Sequence, residues 1–506
     1  MRLRAHSFRF GTSALLLVLG GLSTPAIAQE PNDDALRRKQ FPTVELNVTP
    51  SAAPLPLFRY RLHPVAGKLM PGNAAPIYLR IRYELPQEAW DQIGKNSAAW
   101  SEIPLDQFPV QEARKFVSGW SGQLKQIEIG TRREYCNWDY SIAEQRSNII
   151  NLMLPDAQSM RQWARLIAIK ARLEIAEGNL DEAVHTIGTG IAFGRHVANG
   201  PFLINNLIGV AICNVMLNLA EEVIGRPDAP NLYWALTAIP RPLISIRQSM
   251  EIEQRLAENM IPEMNDVFAS HSAAEWTILA ERIYAGMQRL ALIIDPKGKD
   301  LPAEIRTQIN ADYASFKKQY LEQLRITLRK TIPRSKETVS AMSDDEIMAR
   351  GIVNQYRIMR DEFFKVAYLS LPDMIKCERE SQSAVNEAKD GPAAIFATMQ
   401  AAIQSTLYAE ARLERRIAML RTIEAIRLHA AANDGKLPES LDAIKEVPIP
   451  LDPATNAPFP FSREGDVAVL KTPQAGSTMP WTTYRIRIRN AMAGSEHLQH
   501  KTLIGN

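Results

Sequence analysis

The residues most able to do chemistry lie in the segment EYCNWDY, at positions 134 to 140. It brings Cys136, Trp138 and Asp139 together in a chain that has three cysteines. A nucleophilic thiol needs a nearby base or positive charge that lowers its pKa, whereas Glu134 and Asp139 would raise it. We therefore predict a structural segment, in which Trp138 fills a core and Asp139 caps a turn. A catalytic thiol, a mixed disulfide and metal binding stay open as alternatives.

A second candidate is the pair Glu182 and His185, the only E-x-x-H in the sequence. This spacing places both side chains on one helix face, as in di-iron helical bundles, but that design needs two such pairs. We therefore expect His185 to be an ordinary helix residue, and we predict no metal and no cofactor. The sequence also lacks H-E-x-x-H, C-x-x-C, G-x-S-x-G and a glycine-rich phosphate loop.

The first 30 residues, MRLRAHSFRFGTSALLLVLGGLSTPAIAQE, follow the order of a signal peptide. Arginines precede an apolar core, and an A-x-A site predicts cleavage after Ala28. The core is shorter than the roughly 20 residues of a membrane-spanning helix, which disfavours a retained anchor. The sequence therefore predicts a periplasmic or secreted protein.

Cleavage would remove three arginines and no acidic residue, so the formal net charge would fall from +3 to zero. Nucleic acids and anionic membranes attract proteins with net or clustered positive charge. We therefore predict no nucleic-acid partner and no stable membrane insertion after cleavage. Three cysteines are also too few for a disulfide framework, so packing must supply the stability.

The pattern along the chain divides it into four parts. After the signal peptide, residues 29–84 form a proline-rich arm that we expect to be extended and to lie on another part of the fold. Residues 85–435 are helical by periodicity, and residues 436–506 form a small module in which REGDVAVLK and TTYRIRIRN alternate as strands of a hairpin. The predicted fold is mainly α: an irregular helical bundle or superhelix, an extended N-terminal arm and a small α/β C-terminal module.

Hydrophobic periodicity and end signals set the expected helices. We predict helices at about 156–177, 180–197, 202–224, 243–259, 273–294, 303–330, 344–369 and 392–433, the last either one long spine or two helices joined near Tyr408. The third carries four asparagines, at 205, 206, 214 and 218, in an apolar background. Buried amides are costly in lipid, so we place this helix inside a soluble bundle.

Three stretches resemble known families. EGNLDEAVHTIGTGI resembles the turn of a tetratricopeptide hairpin, in which Gly178 ends one helix and Ala183 lets the next approach closely. The segment from Leu420 to Phe461 resembles the spine helix and loop of type II secretion pseudopilins. The combination of PGNAAPIYLR, REYCNWDY and this C-terminal segment is similar to a family of exported proteins of unassigned activity in planctomycete-type bacteria.

These observations favour an exported, noncatalytic binding or scaffold protein of the bacterial envelope, whose partners would be envelope proteins or peptides. Two alternatives stay open. One is a periplasmic, hydrolase-like enzyme with a site assembled from residues that are distant in sequence. The other is a component of a secretion or pseudopilus-like system, which rests on the C-terminal resemblance.

Overall fold

The predicted fold class is confirmed: the chain is mainly α, with a small sheet at its C-terminal end. The structure is a computed structural model, and it describes residues 43–101, 103–139, 149–295, 301–331, 335–377, 380, 383, 386, 388, 391–475, 479 and 482–489. The expected signal peptide, the first part of the arm and Tyr140 lie outside these residues.

The proline-rich arm contributes a strand to the C-terminal sheet. Strand β1 (Thr43–Val48) runs parallel to β6 (Thr483–Ile488), with Thr43 opposite Thr483. The hairpin of β4 (Phe461–Glu464) and β5 (Val467–Lys471) completes the strand order β1-β6-β5-β4. The alternating residues of the C-terminal segment thus form strands, and the arm lies on the module at the far end of the sequence.

A second, two-stranded sheet joins the arm to the EYCNWDY segment. Strand β2 (Met70–Asn73) pairs in parallel with β3 (Arg133–Tyr135). The expected extended arm does not continue to residue 84, because helix α1 spans Ala75–Tyr83. Pro76 stands in the first turn of that helix, where its missing amide hydrogen costs no hydrogen bond.

The helices that follow α1 fill most of the chain. They are α2 (Gln87–Trp100), α3 (Val110–Gly119), α4 (Ser121–Thr131), α5 (Ile149–Ala176), α6 (Leu180–Ala198), α7 (Leu203–Ile224), α8 (Tyr233–Thr237), α9 (Arg247–Glu253), α10 (Leu256–Met260), α11 (Ala273–Ile294), α12 (Ala303–Asn310), α13 (Tyr313–Thr331), α14 (Ser335–Ser340), α15 (Asp344–Phe364), α16 (Leu371–Lys376) and α17 (Ala394–Ala432).

Two expected helices are broken in the structure. The segment 243–259 forms the short helices α9 and α10, and 303–330 divides into α12 and α13. At the second break Asp312 caps α13, because its carboxylate accepts the amide of Ser315 at 2.7 Å. The segment near Tyr408 shows the opposite outcome, since α17 is one continuous helix.

The helical region contains two large hydrophobic cores rather than one. The first gathers the arm, α1 to α8, the sheet and residues 409–428 of α17. The second gathers α9 to α16 and residues 394–397 at the start of α17. The spine helix therefore belongs to both cores, and the expected boundaries at 85 and 436 do not divide the first one.

Two buried ion pairs on α17 tie the arm and the C-terminal module to this spine. Arg427 pairs with Glu424 at 2.9 Å, with both side chains fully buried, and donates to the carbonyl of Thr49 in the arm at 3.0 Å. Arg415 pairs with Asp452 of the module at 2.8 Å. Because a buried charge without a partner is costly, these pairs fix how both ends of the chain meet the spine.

Among the described residues one helix, α7, is long and apolar enough to cross a membrane, and 67% of its apolar window is buried within the protein. Its four asparagines divide into two kinds. Asn205 and Asn206 are buried, whereas Asn214 is half-buried and Asn218 is exposed. Asn206 donates to the carbonyl of Ala198 at 2.9 Å, so its amide helps to hold α7 against the end of α6.

Candidate functional site

The segments PGNAAPIYLR and EYCNWDY meet at the small sheet of β2 and β3. The Asn73 side chain donates to the carbonyl of Asn137 at 2.7 Å and accepts the Asn137 amide at 2.8 Å. Its oxygen also accepts the amide of Ala75 at 3.1 Å, at the start of α1. One asparagine of PGNAAPIYLR therefore fixes both the next helix and the turn after Cys136.

Trp138 fills the core between this turn and helix α6. Its side chain is buried, its indole nitrogen donates to the carbonyl of His196 at 2.9 Å, and its ring stacks on Tyr78 at 6.0 Å. The Tyr78 hydroxyl lies 2.8 Å from Nδ1 of the same histidine. A Cβ at Gly130 would come within 2.4 Å of the Tyr78 ring, so this glycine makes the space.

The turn itself is capped by Asn137 rather than by Asp139. The backbone amide of Asp139 donates to the Asn137 side chain at 3.0 Å. Asp139 has a φ of 50°, in the left-handed region that aspartate and asparagine tolerate better than most residues. The sequence therefore located the turn, but the capping side chain is the residue two positions earlier.

The thiol of Cys136 is buried, and this burial raises its pKa well above the usual range. Burial also raises the pKa of Cys213, to about 12. The Cys213 thiol instead lies 3.8 Å from the carbonyl of Ile191, to which it donates. Cys377 is also a free thiol, so none of the three cysteines forms a disulfide in the structure.

Two half-buried histidines, His63 and His196, lie near Arg195, and they are contacts that sequence reasoning missed. Burial and the charge of Arg195 lower the pKa of His63 to about 4, and the same causes with the charge of His63 lower that of His196 to about 4. Arg195 directs Nη1 at His63 Nε2. The arm reaches this point because Gly188 lets the carbonyl of Arg61 approach α6.

The structure places Glu182 and His185 at the surface of the protein. Both are exposed on α6, and His185 lies 3.3 Å from the carboxylate of Glu128 on α4. Burial acts to raise the pKa of Glu128, but bonds from Lys125 and His185 with the charge of Arg132 lower it overall. No group of three metal-ligating side chains occurs in the part of the chain that the structure describes.

His185 does line an open groove of about 240 Å³ between α3, α4, α5 and α6. We call it the His185 groove. Its apolar surface includes Val117, Leu124 and Ile167, and Lys125 and Lys170 stand on its polar side. Apolar walls with a few polar groups are typical of ligand sites, so the groove can hold an apolar side chain beside a polar or charged group.

A larger cavity of about 390 Å³ lies at the C-terminal end of α6, and we call it the Arg195 cavity. Its walls come from three elements: the end of α6, the loop 242–245 and the start of α9. The side chains that give it polar character are Arg195, Asn199, Ser245, Arg247, Gln248 and Glu251.

The carboxylates of buried Glu414 and half-buried Glu410 hold the loop that forms one wall of this cavity. Glu414 accepts the amide of Leu243 at 2.7 Å, and Glu410 accepts that of Ile246 at 3.1 Å. Burial raises the pKa of Glu410 to about 7. The bond from the Ile246 amide acts to lower this pKa, and the charge of Glu414 acts to raise it. Burial likewise raises the pKa of Glu253 to about 7, against the bond from the amide of Leu203.

Comparisons with known proteins add no relative to this geometry: no family model, curated protein or solved structure matches the chain. The residues and their contacts therefore carry the functional argument.

Proposed function

We propose that this chain is an exported, noncatalytic binding or scaffold protein of the bacterial envelope, in the family of exported planctomycete-type proteins that its sequence resembles. The observation that carries the proposal is the state of the side chains around EYCNWDY. The Cys136 thiol has a raised pKa, and the neighbouring His196 has a pKa of about 4. Nucleophilic catalysis needs a thiolate, and a general base works best with a pKa near the ambient pH.

The polar atoms of this region are used to join elements. The His196 carbonyl accepts a hydrogen bond from the Trp138 indole, and the His196 ring is hydrogen-bonded to the Tyr78 hydroxyl. The Asn73 side chain binds the backbone of Asn137. Such bonds connect the arm, the turn after β3 and α6. This pattern supports a rigid scaffold that presents surfaces for binding.

The His185 groove is the surface that we assign to a protein or peptide partner. It lies along the hairpin of α5 and α6, where Gly178 has a φ of 80° and Ala183 is fully buried, as the tetratricopeptide-style turn requires. Hairpins of this style present grooves to peptides. The lining combines apolar side chains with Lys125 and Lys170, which pair with Glu128 and Glu174, so it suits an amphipathic segment.

A site-specific crosslinking experiment tests this assignment. A photoreactive amino acid replaces Ser121, which is exposed and lines the groove, in the full chain 1–506 expressed in its native host. The control carries the same group at Glu322, an exposed position on α13. We expect one protein adduct from position 121 and none from 322. Equal adducts at both positions, or substrate turnover that Cys136→Ala abolishes, would refute the proposal.

One observation favours the enzyme alternative: two carboxyl groups, of Glu253 and Glu410, have a pKa of about 7. Such values suit general acid or base catalysis. Neither residue lines the two cavities described above, and each accepts a backbone amide. If the purified protein hydrolyses a substrate and Glu410→Gln stops turnover without unfolding the chain, the enzyme alternative replaces the binding proposal.

The C-terminal resemblance supports the third alternative only in shape. The spine α17 leads into the hairpin of β4 and β5, as the resemblance to pseudopilins implies. However, β1 of the arm occupies the outer edge of β6, so that edge is already paired. Copurification of the chain with secretion components from the envelope would favour this alternative.

A further inference from the structure

The Arg195 cavity contains a positive charge that its surroundings do not balance. Arg195 is half-buried at the end of α6, and it is one of the residues that line the cavity. Nε donates to the carbonyl of Leu243 at 3.0 Å, and Nη1 meets the ring of His63. A carbonyl and an imidazole fix the orientation of the guanidinium, but neither carries a negative charge.

Two titratable neighbours of Arg195, His63 and Cys213, are neutral. His63 has a pKa of about 4, and Cys213 has a pKa of about 12, so each is uncharged near neutral pH. Among the residues that the structure describes, Arg195 forms no ion pair. A partly buried cation without an anion is an unfavourable arrangement that a bound anion would relieve.

The acidic residues nearby are engaged elsewhere. Glu414 binds the amide of Leu243, and the charge of Arg241 acts on it. Glu251 lies in the cavity wall but pairs with Arg247 at 3.6 Å on the exposed surface of α9. Together the wall therefore carries two guanidinium groups and one carboxylate, so one positive charge is left for a ligand.

We propose that the Arg195 cavity is a binding site for a carboxylate, with the Arg195 guanidinium as its main partner. This inference rests on the proposed function, since it gives the binding protein a ligand class at a second site. Arginine presents nitrogen donors in a planar fork that fits a carboxylate. Nη2 is the end of that fork to which no bond within the described part of the protein is assigned.

The cavity also fits this ligand in size and in its other polar groups. Its volume of about 390 Å³ falls in the range of small-molecule sites. Ser245 and Asn199 add a hydroxyl and an amide to the wall. Glu251 on the same wall disfavours a doubly charged phosphate relative to a singly charged carboxylate. The carboxylate can come from the C-terminus of a peptide or from a free small acid.

Isothermal titration calorimetry on the mature chain 29–506 tests the site with four probes: N-acetyl-alanyl-alanine, its C-terminal amide, propionate and inorganic phosphate. We expect the two carboxylates to bind and the amide to bind at least about tenfold more weakly, since it lacks the charge that pairs with Arg195. Tighter binding of the dipeptide than of propionate identifies a peptide C-terminus, and equal affinity identifies a free acid.

Variants assign the effect to the guanidinium. Arg195→Gln should weaken carboxylate binding at least about tenfold, whereas Arg114→Gln, which removes the same charge from the exposed side of α3, should leave it unchanged. Because Arg195 also holds the Leu243 carbonyl, circular dichroism and the urea midpoint must show that the variant folds.

A second measurement uses the unaltered protein and so avoids a folding defect. Phenylglyoxal modifies accessible arginines, and peptide mass spectrometry reports the rate at Arg195. N-acetyl-alanyl-alanine should slow modification at Arg195 but not at Arg114, and the amide should slow neither.

Four results would overturn the inference: no binding of either carboxylate up to about 10 mM, equal binding of acid and amide, binding of phosphate alone, or unchanged affinity in a folded Arg195→Gln. Chemical conversion of a bound probe would instead refute the noncatalytic function and leave the carboxylate site in place.

Discussion

Glu410 gives the protein a predictable dependence of stability on pH. Its carboxyl group has a pKa of about 7 in the folded chain and 4.5 ordinarily. Between these values the folded state keeps the proton and the unfolded state releases it. Stability from this group is therefore complete below pH 4.5 and is lost as the pH rises through about 7. The full difference corresponds to about 3 kcal/mol of unfolding free energy, at 1.36 kcal/mol for each pKa unit.

Replacing Glu410 by glutamine removes the titration but keeps an oxygen that can accept the amide of Ile246. We expect Glu410→Gln to exceed the wild type by up to about 3 kcal/mol in unfolding free energy at pH 8. The two proteins should have nearly equal stability at pH 4.5. Urea unfolding followed by tryptophan fluorescence, at pH values from 4.5 to 8.5, measures both quantities.

The matched control is Glu439→Gln, which makes the same change on a side chain that is 82% exposed. It should alter the pH profile little, because exposed ion pairs contribute little to stability. If Glu410→Gln is less stable than the wild type at pH 8, the ionised carboxylate stabilises the fold through the Ile246 amide. That result would refute the claim that burial of Glu410 destabilises the folded protein once its carboxyl group is ionised.

Three further predictions concern packing. Asp452→Ala leaves the buried guanidinium of Arg415 without its ion-pair partner, so urea denaturation should show a loss of about 3–5 kcal/mol in unfolding free energy. A loss under about 1 kcal/mol would show that the ion pair does not stabilise the fold. Maleimide at neutral pH should label half-buried Cys377 in the native protein and should label Cys213 only after urea unfolds the chain. Mass spectrometry reads the labelled positions, and labelling of Cys213 in the native protein would disprove its burial. Gly209→Ala places a methyl group 2.5 Å from the carbonyl of Gly194 on α6. We expect it to lower the unfolding free energy, measured by urea denaturation, by about 1–3 kcal/mol. An unchanged urea midpoint would show that α6 and α7 can move apart to accept the methyl group.

Local patterns predicted those elements whose signals lie within the element. Helix α11 begins and ends where its periodicity does, because Ser272 and Glu275 form a capping box at its start. Strand β6 follows from alternation, whereas residues 467–470 of β5 are all buried and do not alternate. The break before α13 has no glycine or proline to signal it, and depends on how Asp312 caps the next helix. Helix α1 was missed because Pro76 was interpreted as a sign of extended chain.

The candidate site was predictable only in part, for the same reason. Tryptophan in a helical protein usually serves packing, and Trp138 is indeed buried. The partners of this region come from distant positions: His63 meets Arg195 across 132 residues. No local pattern indicates that pairing, and the carboxylates of Glu410 and Glu414 reach the loop 242–246 from another helix altogether.

The parallel pairing of β1 with β6 sets the order in which the molecule can be completed. Of the strands in the described residues, β1 is synthesised first and β6 last, so β1 has no partner until Thr483–Ile488 has been made. Contacts so distant in sequence form late and slowly. A chain that stops before Thr483 leaves the edge of β5 unpaired, and open strand edges promote aggregation. The sheet can therefore close around β1 only after the segment Thr483–Ile488 has been made.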